Sequence, residues 1–363
     1  DDMATIAHGN ERVLAARLED ARFFFEEDKR TGLAKMAEGL DGVVYQARLG
    51  TLAQKVARIQ KSGVARAFGV DEHDLVRAAS LCKADLVSKM VGEFPELQGV
   101  MGRTYAQAAG ETDAIAQAIA EHYLPRGAGD RLPEGALGAA LGVADRLDTL
   151  VGCFAVGLAP SGSADAYGLR RQALAVLNVL LDRGVTVPLG SLVDDAAAQL
   201  SASVGWSEQV RKQLLDFLAT RLRGLFIESH GLPPDCVDAA LAVDFENVPD
   251  AALRAQAVAH LRTRPDFEPL GVAFKRVANI LKSGAKAPGP VAESAFVHDS
   301  ERALWSLFVA VKDRVDGHVQ KHEYDAALRE LTSLKPVVDR FFDDVMVMDK
   351  DQRLQQNRLA MLG

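Results

Sequence analysis

Long apolar runs are missing from this chain of 363 residues. The two most apolar stretches, residues 149–160 and 173–181, are interrupted by glycine or fall short of the roughly 18 residues that a membrane span needs. No amino-terminal signal segment is visible either, so no membrane partner and a cytoplasmic location are expected. Cysteine is scarce: Cys82, Cys153 and Cys236 are odd in number and without pattern. That excludes a disulfide or zinc framework and suits a reducing compartment. Aromatic residues make up only 6% of the chain, while alanine and leucine abound, a balance that favours helices over strands. Period-two alternation and Asn-Gly or Asp-Gly hairpin signals are absent as well. The expected fold is all-α.

The chemistry-bearing motifs are missing too. There is no G-x-x-x-x-G-K-[ST] phosphate loop, no G-x-G-x-x-G after a strand and no G-x-S-x-G nucleophile turn. Metal spacings such as C-x-x-C or H-E-x-x-H do not occur. His318 and His322 stand four apart, but a zinc site needs at least three protein ligands, and the pair reads as surface decoration. No metal and no catalytic residue is expected.

What is present is a folded, charged, helical chain: 48% of its residues are hydrophobic and 25% charged. Its length implies two or three domains. Leu304, Leu307, Phe308, Val311 and Val315 recur at steps of three and four, one face of a helix. Residues 170–181, 209–226, 251–261 and 272–281 behave alike. Loop-forming clusters lie at 159–163, 231–234 and 283–290. They suggest a helical domain over 1–165, a linking helical body over 166–250 and a helical bundle over 251–363. The opening Asp1-Asp2-Met3-Ala4 is unlike a natural start, and an internal fragment of a longer chain is expected.

Charge is unevenly spread. The net charge of −8 argues against a uniformly basic nucleic-acid binder, yet phosphates respond to local fields. Between Asp41 and Asp71 no acidic residue occurs, while Arg48, Lys55, Arg58, Lys61 and Arg66 do. Residues 253–290 carry Arg254, Arg262, Arg264, Lys275, Arg276, Lys282 and Lys286 against Asp266 and Glu268. Charge alone favours solvated helix faces for both stretches. Phe23, Phe24 and Phe25, three aromatics in a row, read as core.

Residues 76–86, followed downstream by Val143-Ala144-Asp145-Arg146-Leu147-Asp148, resemble the HD phosphohydrolase superfamily. There a His-Asp pair and a later Asp hold a metal. Here the pair is Ala84-Asp85, and residues 49–56 lack the first histidine. Asp85 and Asp145 are therefore a degenerate site, since carboxylates without imidazoles suit a transition metal poorly. Asp148 with Arg146 reads equally well as a polar network fixing helix packing.

Four longer motifs carry a second resemblance: Gly9-Asn10-Glu11-Arg12-Val13 with Arg17–Phe25; Gly92-Glu93-Phe94-Pro95-Glu96-Leu97-Gln98-Gly99-Val100-Met101-Gly102; Ala144–Gly152 running on into Pro160-Ser161-Gly162 and Leu169-Arg170-Arg171-Gln172-Ala173-Leu174; and Phe341-Phe342-Asp343-Asp344-Val345-Met346-Val347-Met348 ending in Asn357-Arg358-Leu359. Together they resemble the β subunit of bacterial glycyl-tRNA synthetase. The resemblance implies a tRNA-binding subunit of an α2β2 enzyme whose α subunit activates glycine with ATP and Mg²⁺; no cofactor belongs to this chain. It implies an HD-like domain near the acceptor arm and a carboxy-terminal DALR-type anticodon-binding domain, for which Asp325-Ala326-Ala327-Leu328-Arg329 is close to the naming motif. On the acceptor side the candidates are Arg48, Lys55 and Arg58, expected on one helix face at spacings of seven and three, with Arg170 and Arg171. Those two open a helix, where cations oppose the macrodipole unless a phosphate or Asp165 lies near. On the anticodon side they are Lys275, Arg276, Asn279 and Lys282, with Arg276 and Asn279 sharing a face. Ala164 and Ala166 stand where the family carries lysine and proline, so any contact made by that lysine does not transfer. The rival readings are an active HD-type phosphohydrolase and a purely structural piece that docks the α subunit.

Overall fold

A computed structural model describes residues 3–200, 204–265, 267–283 and 289–363; Asp266, Lys286 and most of the 283–290 loop lie outside them. The chain is all-α, and its strands among the described residues are a short antiparallel ribbon, Val44–Gln46 with Gly50–Thr51. The ribbon escaped the sequence reading because strands this short leave no period-two signal. Its turn depends on Gly50, at φ +89°, and on the Gln46 side chain, which accepts from the Arg48 and Leu49 amides. Two compact units form: residues 1–225 with 245–249, and residues 226–244 with 250–363.

The first unit is organised around the helix Ala136–Ala155, buried at every position but Ala136 and Asp145. A helix apolar on all sides belongs in the centre of a core. Helices Leu52–Gln60, Asp113–Glu121, Leu169–Asp182, Leu189–Ala198 and Glu208–Gly224 pack around it. Close approach needs small residues. A Cβ on Gly142 would sit 2.9 Å from the His122 carbonyl oxygen, so only glycine lets the 122–125 backbone lie against this helix.

The linking body expected over 166–250 does not form a unit of its own. Its three helices up to Gly224 pack on one another and on the face of Ala136–Ala155, and they complete the first unit. The Pro/Gly punctuation at 231–234 marks a turn inside the second unit rather than a division.

The long helix Met3–Thr31 is tied to the first unit at its end. Buried Asp28 accepts from the amides of Lys89 and Met90 and from the Tyr105 hydroxyl, at 2.9–3.0 Å. Phe25 stacks on Tyr105 as expected of core, but Phe23 is 56% exposed. A helix surrounded on one side only cannot bury three consecutive side chains, which point a third of a turn apart. No described helix is long and apolar enough to cross a membrane.

The second unit is built on Phe341 and Phe342, clustered with Phe296, Leu304, Val345, Val347 and Leu359. Val277, Ile280 and Leu281 close the cluster from the helix Phe267–Ser283, whose other faces stay open.

Candidate functional sites

In the first unit the sequence places Lys55 and Arg58 three apart on one helix, and Asp145 and Asp148 three apart on another. The fold brings the two pairs face to face. The Lys55 ammonium lies 2.9 Å from Asp145 Oδ1 and 3.0 Å from Asp148 Oδ2, and donates to Thr149 Oγ1 at 2.8 Å. Arg58 donates to Asp148 Oδ2 at 3.1 Å. Lys83 reaches the other Asp145 oxygen at 2.7 Å and His122 Nε2 at 2.9 Å, above the ring of Tyr123. Burial alone would push the Asp145 carboxyl up; Lys55 and Lys83 outweigh it and hold it well below the usual carboxylate range. Likewise burial would lower the Lys55 ammonium, and Asp145 with Asp148 keep it above the ordinary lysine value.

This arrangement bears on two sets of residues singled out from the sequence. Lys55 is 3% exposed and its ammonium is held by Asp145 and Asp148, so it braces the core instead of standing on an open helix face. Arg58 is committed to Asp148. Asp85 and Asp145 do not converge as metal ligands: Asp85 Oδ2 accepts from the Gly99 and Gly102 amides at 2.6 and 3.0 Å, while two ammonium groups occupy Asp145. Among the described residues the clustered potential ligands are Asp71, His73 and Asp74, elsewhere. The donor set therefore does not fit a catalytic HD metal.

Lys83 and His122 have no motif around them, and sequence reasoning missed both. His122 is fully buried, and its Nδ1 lies 2.7 Å from the Ile119 carbonyl. With Nδ1–H donating there, Nε2 accepts from Lys83. Burial, then Lys83, hold the ring well below the ordinary histidine pKa, so it is neutral in the fold. The unfolded chain takes up the proton below about pH 6.5 and the folded chain does not, so stability is lost as pH falls from there, by at most about 1.4 kcal/mol per pH unit. Urea unfolding between pH 7 and 5.5 shows that slope, and His122→Gln flattens it; an equal slope in both would remove His122 as its source.

Above this network opens a cavity of about 540 Å³. Lys55 and Lys83 lie in it, and Arg171 joins them. Arg170 does not: it donates to the Gly162 carbonyl at 2.6 Å, and Asp165 caps its helix through the Leu169 and Arg170 amides. The carboxylate alternative thus accounts for a cation at that helix start. Arg48 lies not on the helix of Lys55 and Arg58, which starts at Leu52, but in the turn of the ribbon before it; it donates to the Val156 carbonyl at 2.6 Å and stays exposed.

In the second unit Lys275, Arg276, Asn279 and Lys282 are all exposed on the helix Phe267–Ser283. Arg276 lies over the Phe342 ring at 4.2 Å, beside a cleft formed with Ile280 and residues 342–348. Stacking holds the guanidinium plane and leaves its edge free to fork. Phe274, 50% exposed on the same helix, was not singled out from sequence; a phenylalanine in an amphipathic helix reads as core. Asp325 of the DALR-like segment meets His260 at 3.2 Å. His318 and His322 are held by Glu323 and Asp250.

Comparison with known proteins gives this geometry its context. Residues 1–242 match the family model described as glycyl-tRNA synthetase beta subunit, and residues 270–363 match the DALR anticodon binding domain. The class is that of aminoacyl-tRNA synthetase polypeptides. The chain belongs to the glycyl-tRNA synthetase beta subunit family. It is 47% identical over 366 residues to the glycine–tRNA ligase beta subunit of Citrifermentans bemidjiense, covering all of this chain and 53% of that protein. To the protein of the same name from Geotalea uraniireducens it is 47% identical over 367 residues, with the same coverage. To that of Myxococcus xanthus it is 45% identical over 370 residues, 98% of this chain and 52% of the other. The chain spans about half the length of these relatives.

Proposed function

We propose that this chain is the tRNA-handling portion of a glycine–tRNA ligase β subunit. Its first unit lies toward the acceptor arm and its second reads the anticodon loop of glycine tRNA. Glycine activation with ATP and Mg²⁺ takes place on the α subunit of a cytoplasmic α2β2 assembly, and this chain supplies no reacting group. The observation that carries the reading is the open face of the helix Phe267–Ser283. Two lysines, a stacked arginine, an asparagine and a bare phenylalanine stand exposed there, within the segment that matches an anticodon binding domain.

The chemistry suits an unstacked loop. Anticodon bases are splayed, so an aromatic side chain can stack them while Arg and Asn bond their edges. Phe274 offers the ring and Arg276 the fork; Asp343 and Asp344 by the Arg276 cleft repel phosphate and favour a base edge there. Lys275 and Lys282 are placed for the backbone.

Arg276→Ala is expected to weaken glycine-tRNA binding by roughly 5- to 150-fold, the range for loss of a forked base contact. A tRNA with exchanged anticodon is expected to lose much less. Filter binding over a salt series checks both, and equal losses on the two tRNAs would reduce Arg276 to a phosphate contact. Lys275→Ala instead weakens both tRNAs alike and lowers the salt slope by roughly 1.

A further inference from the structure

The cavity of the first unit holds more positive charge than its own carboxylates neutralise. Lys55, Lys83, Arg126, Arg146 and Arg171 line it, against Asp145 as its carboxylate. Arg146 is 7% exposed, yet its guanidinium donates only to backbone carbonyls: His122 at 2.7 Å, Gly142 and Tyr123 at 2.9 Å and Pro125 at 3.2 Å. Its charge is answered at a distance by Asp145 alone, which already holds two lysines. Arg126 and Arg171 are exposed, and neither guanidinium meets a carboxylate among the described residues. A surplus of one sign between low-dielectric walls draws the opposite charge.

The remaining wall narrows the kind of anion. Tyr45, Tyr123 and Tyr167 bring aromatic surface, and Gln98 and Gln172 bring amides. The Tyr123 hydroxyl is buried beside Gln98 without a well-formed hydrogen bond. At about 540 Å³ the cavity is of the size that takes a small organic molecule rather than a bare phosphate. Cationic forks, aromatic faces and amide groups together are what binds an unstacked nucleotide.

We infer that this cavity binds a single nucleotide, its phosphate on the unpaired arginines and its base among the tyrosines. The nucleotide is either free or splayed from bound RNA. It is held and not hydrolysed, since the lysines occupy the carboxylate that a metal would need. The inference goes beyond the anticodon reading and does not depend on it.

The test titrates the full chain with AMP, adenosine and inorganic phosphate, and separately with glycine tRNA. AMP is expected to saturate the site, with adenosine and phosphate each at least about tenfold weaker, about 1.4 kcal/mol apiece. The double variant Arg126→Ala/Arg171→Ala is expected to lose at least about tenfold in AMP affinity at an unchanged melting temperature, both side chains being exposed. If tRNA affinity falls with it and AMP competes with tRNA, the nucleotide comes from RNA; if only AMP binding falls, it is a free nucleotide. AMP binding alike to wild type and variant, or no saturable AMP binding together with unaltered tRNA affinity, overturns the inference. Failure of the anticodon reading would show instead as full tRNA affinity in Arg276→Ala.

Discussion

Asp145→Ala is expected to cost the first unit about 3–5 kcal/mol, the penalty for leaving a buried charge without its partner. The substitution takes a carboxylate from two cations at once. Lys55 and Lys83 are 3% and 5% exposed, so water entering from the cavity replaces only part of what the carboxylate supplies. Lys55 keeps Asp148 at 3.0 Å; Lys83 keeps the neutral His122 ring and the face of Tyr123, and no carboxylate. At about 2–4 °C per kcal/mol for a unit of this size, its melting temperature falls by roughly 6–20 °C. Lys83→Met in the Asp145→Ala background removes one orphaned ammonium and recovers part of the loss, a coupling that a double-mutant cycle reads directly. If Asp145 were a metal ligand, Mg²⁺ or Mn²⁺ would raise the wild-type melting temperature and EDTA lower it. Neither shift is expected. A variant within about 1 kcal/mol of wild type would contradict the whole electrostatic account of this core.

That network also shows what the sequence made legible. The spacing of Lys55 and Arg58 correctly put both on one helix face, and periodicity located the amphipathic helices. It could not say which way a charged face points, because a solvated stripe and a buried one carry the same pattern. The deciding signal lay far along the chain: Asp145 and Asp148 repeat the same interval with opposite sign on a helix otherwise apolar all round. Two charge pairs of matched spacing, one of them on a helix buried nearly all round, point to each other as partners. Lys83 and His122 were out of reach, since a lone lysine and a lone histidine acquire meaning only through what folds against them. On the second helix face, Lys275, Arg276, Asn279 and Lys282 are open as expected, whereas Phe274 was hidden by the presumption that a phenylalanine is core. An exposed aromatic is a departure from pattern, and pattern is all that sequence reading has.

Glu301→Ala is expected to do to the second unit what Asp145→Ala does to the first, with a consequence for binding. Glu301 is 1% exposed. One of its oxygens accepts from the Val297 and His298 amides, each at 2.7 Å, and the other takes the Arg358 guanidinium at 2.8 Å. Arg358, itself 2% exposed, donates onward to the Met346 carbonyl at 3.0 Å and to Asp349 at 2.7 Å. The pair thus anchors the start of the helix Asp299–Gln320 and the 342–348 segment that forms the Arg276 cleft. Burial would raise the Glu301 carboxyl; Arg358 and the two amides hold it below the usual range instead, so its contribution is present above about pH 4.3 and is lost as pH falls further. Truncation removes a helix cap and leaves Arg358 with Asp349 alone, costing about 3–5 kcal/mol. For a unit of intermediate size that lowers its melting temperature by roughly 10–20 °C. Glycine-tRNA binding is expected to fall with the folded fraction of this unit and to recover on cooling, unlike the temperature-independent loss in Arg276→Ala. Calorimetry resolves the second unit's transition, and parallel binding at two temperatures tells apart a cleft that has lost its support from one that has lost its reader. If Glu301→Ala melted as wild type does, the Arg358 pair would not be what holds the cleft.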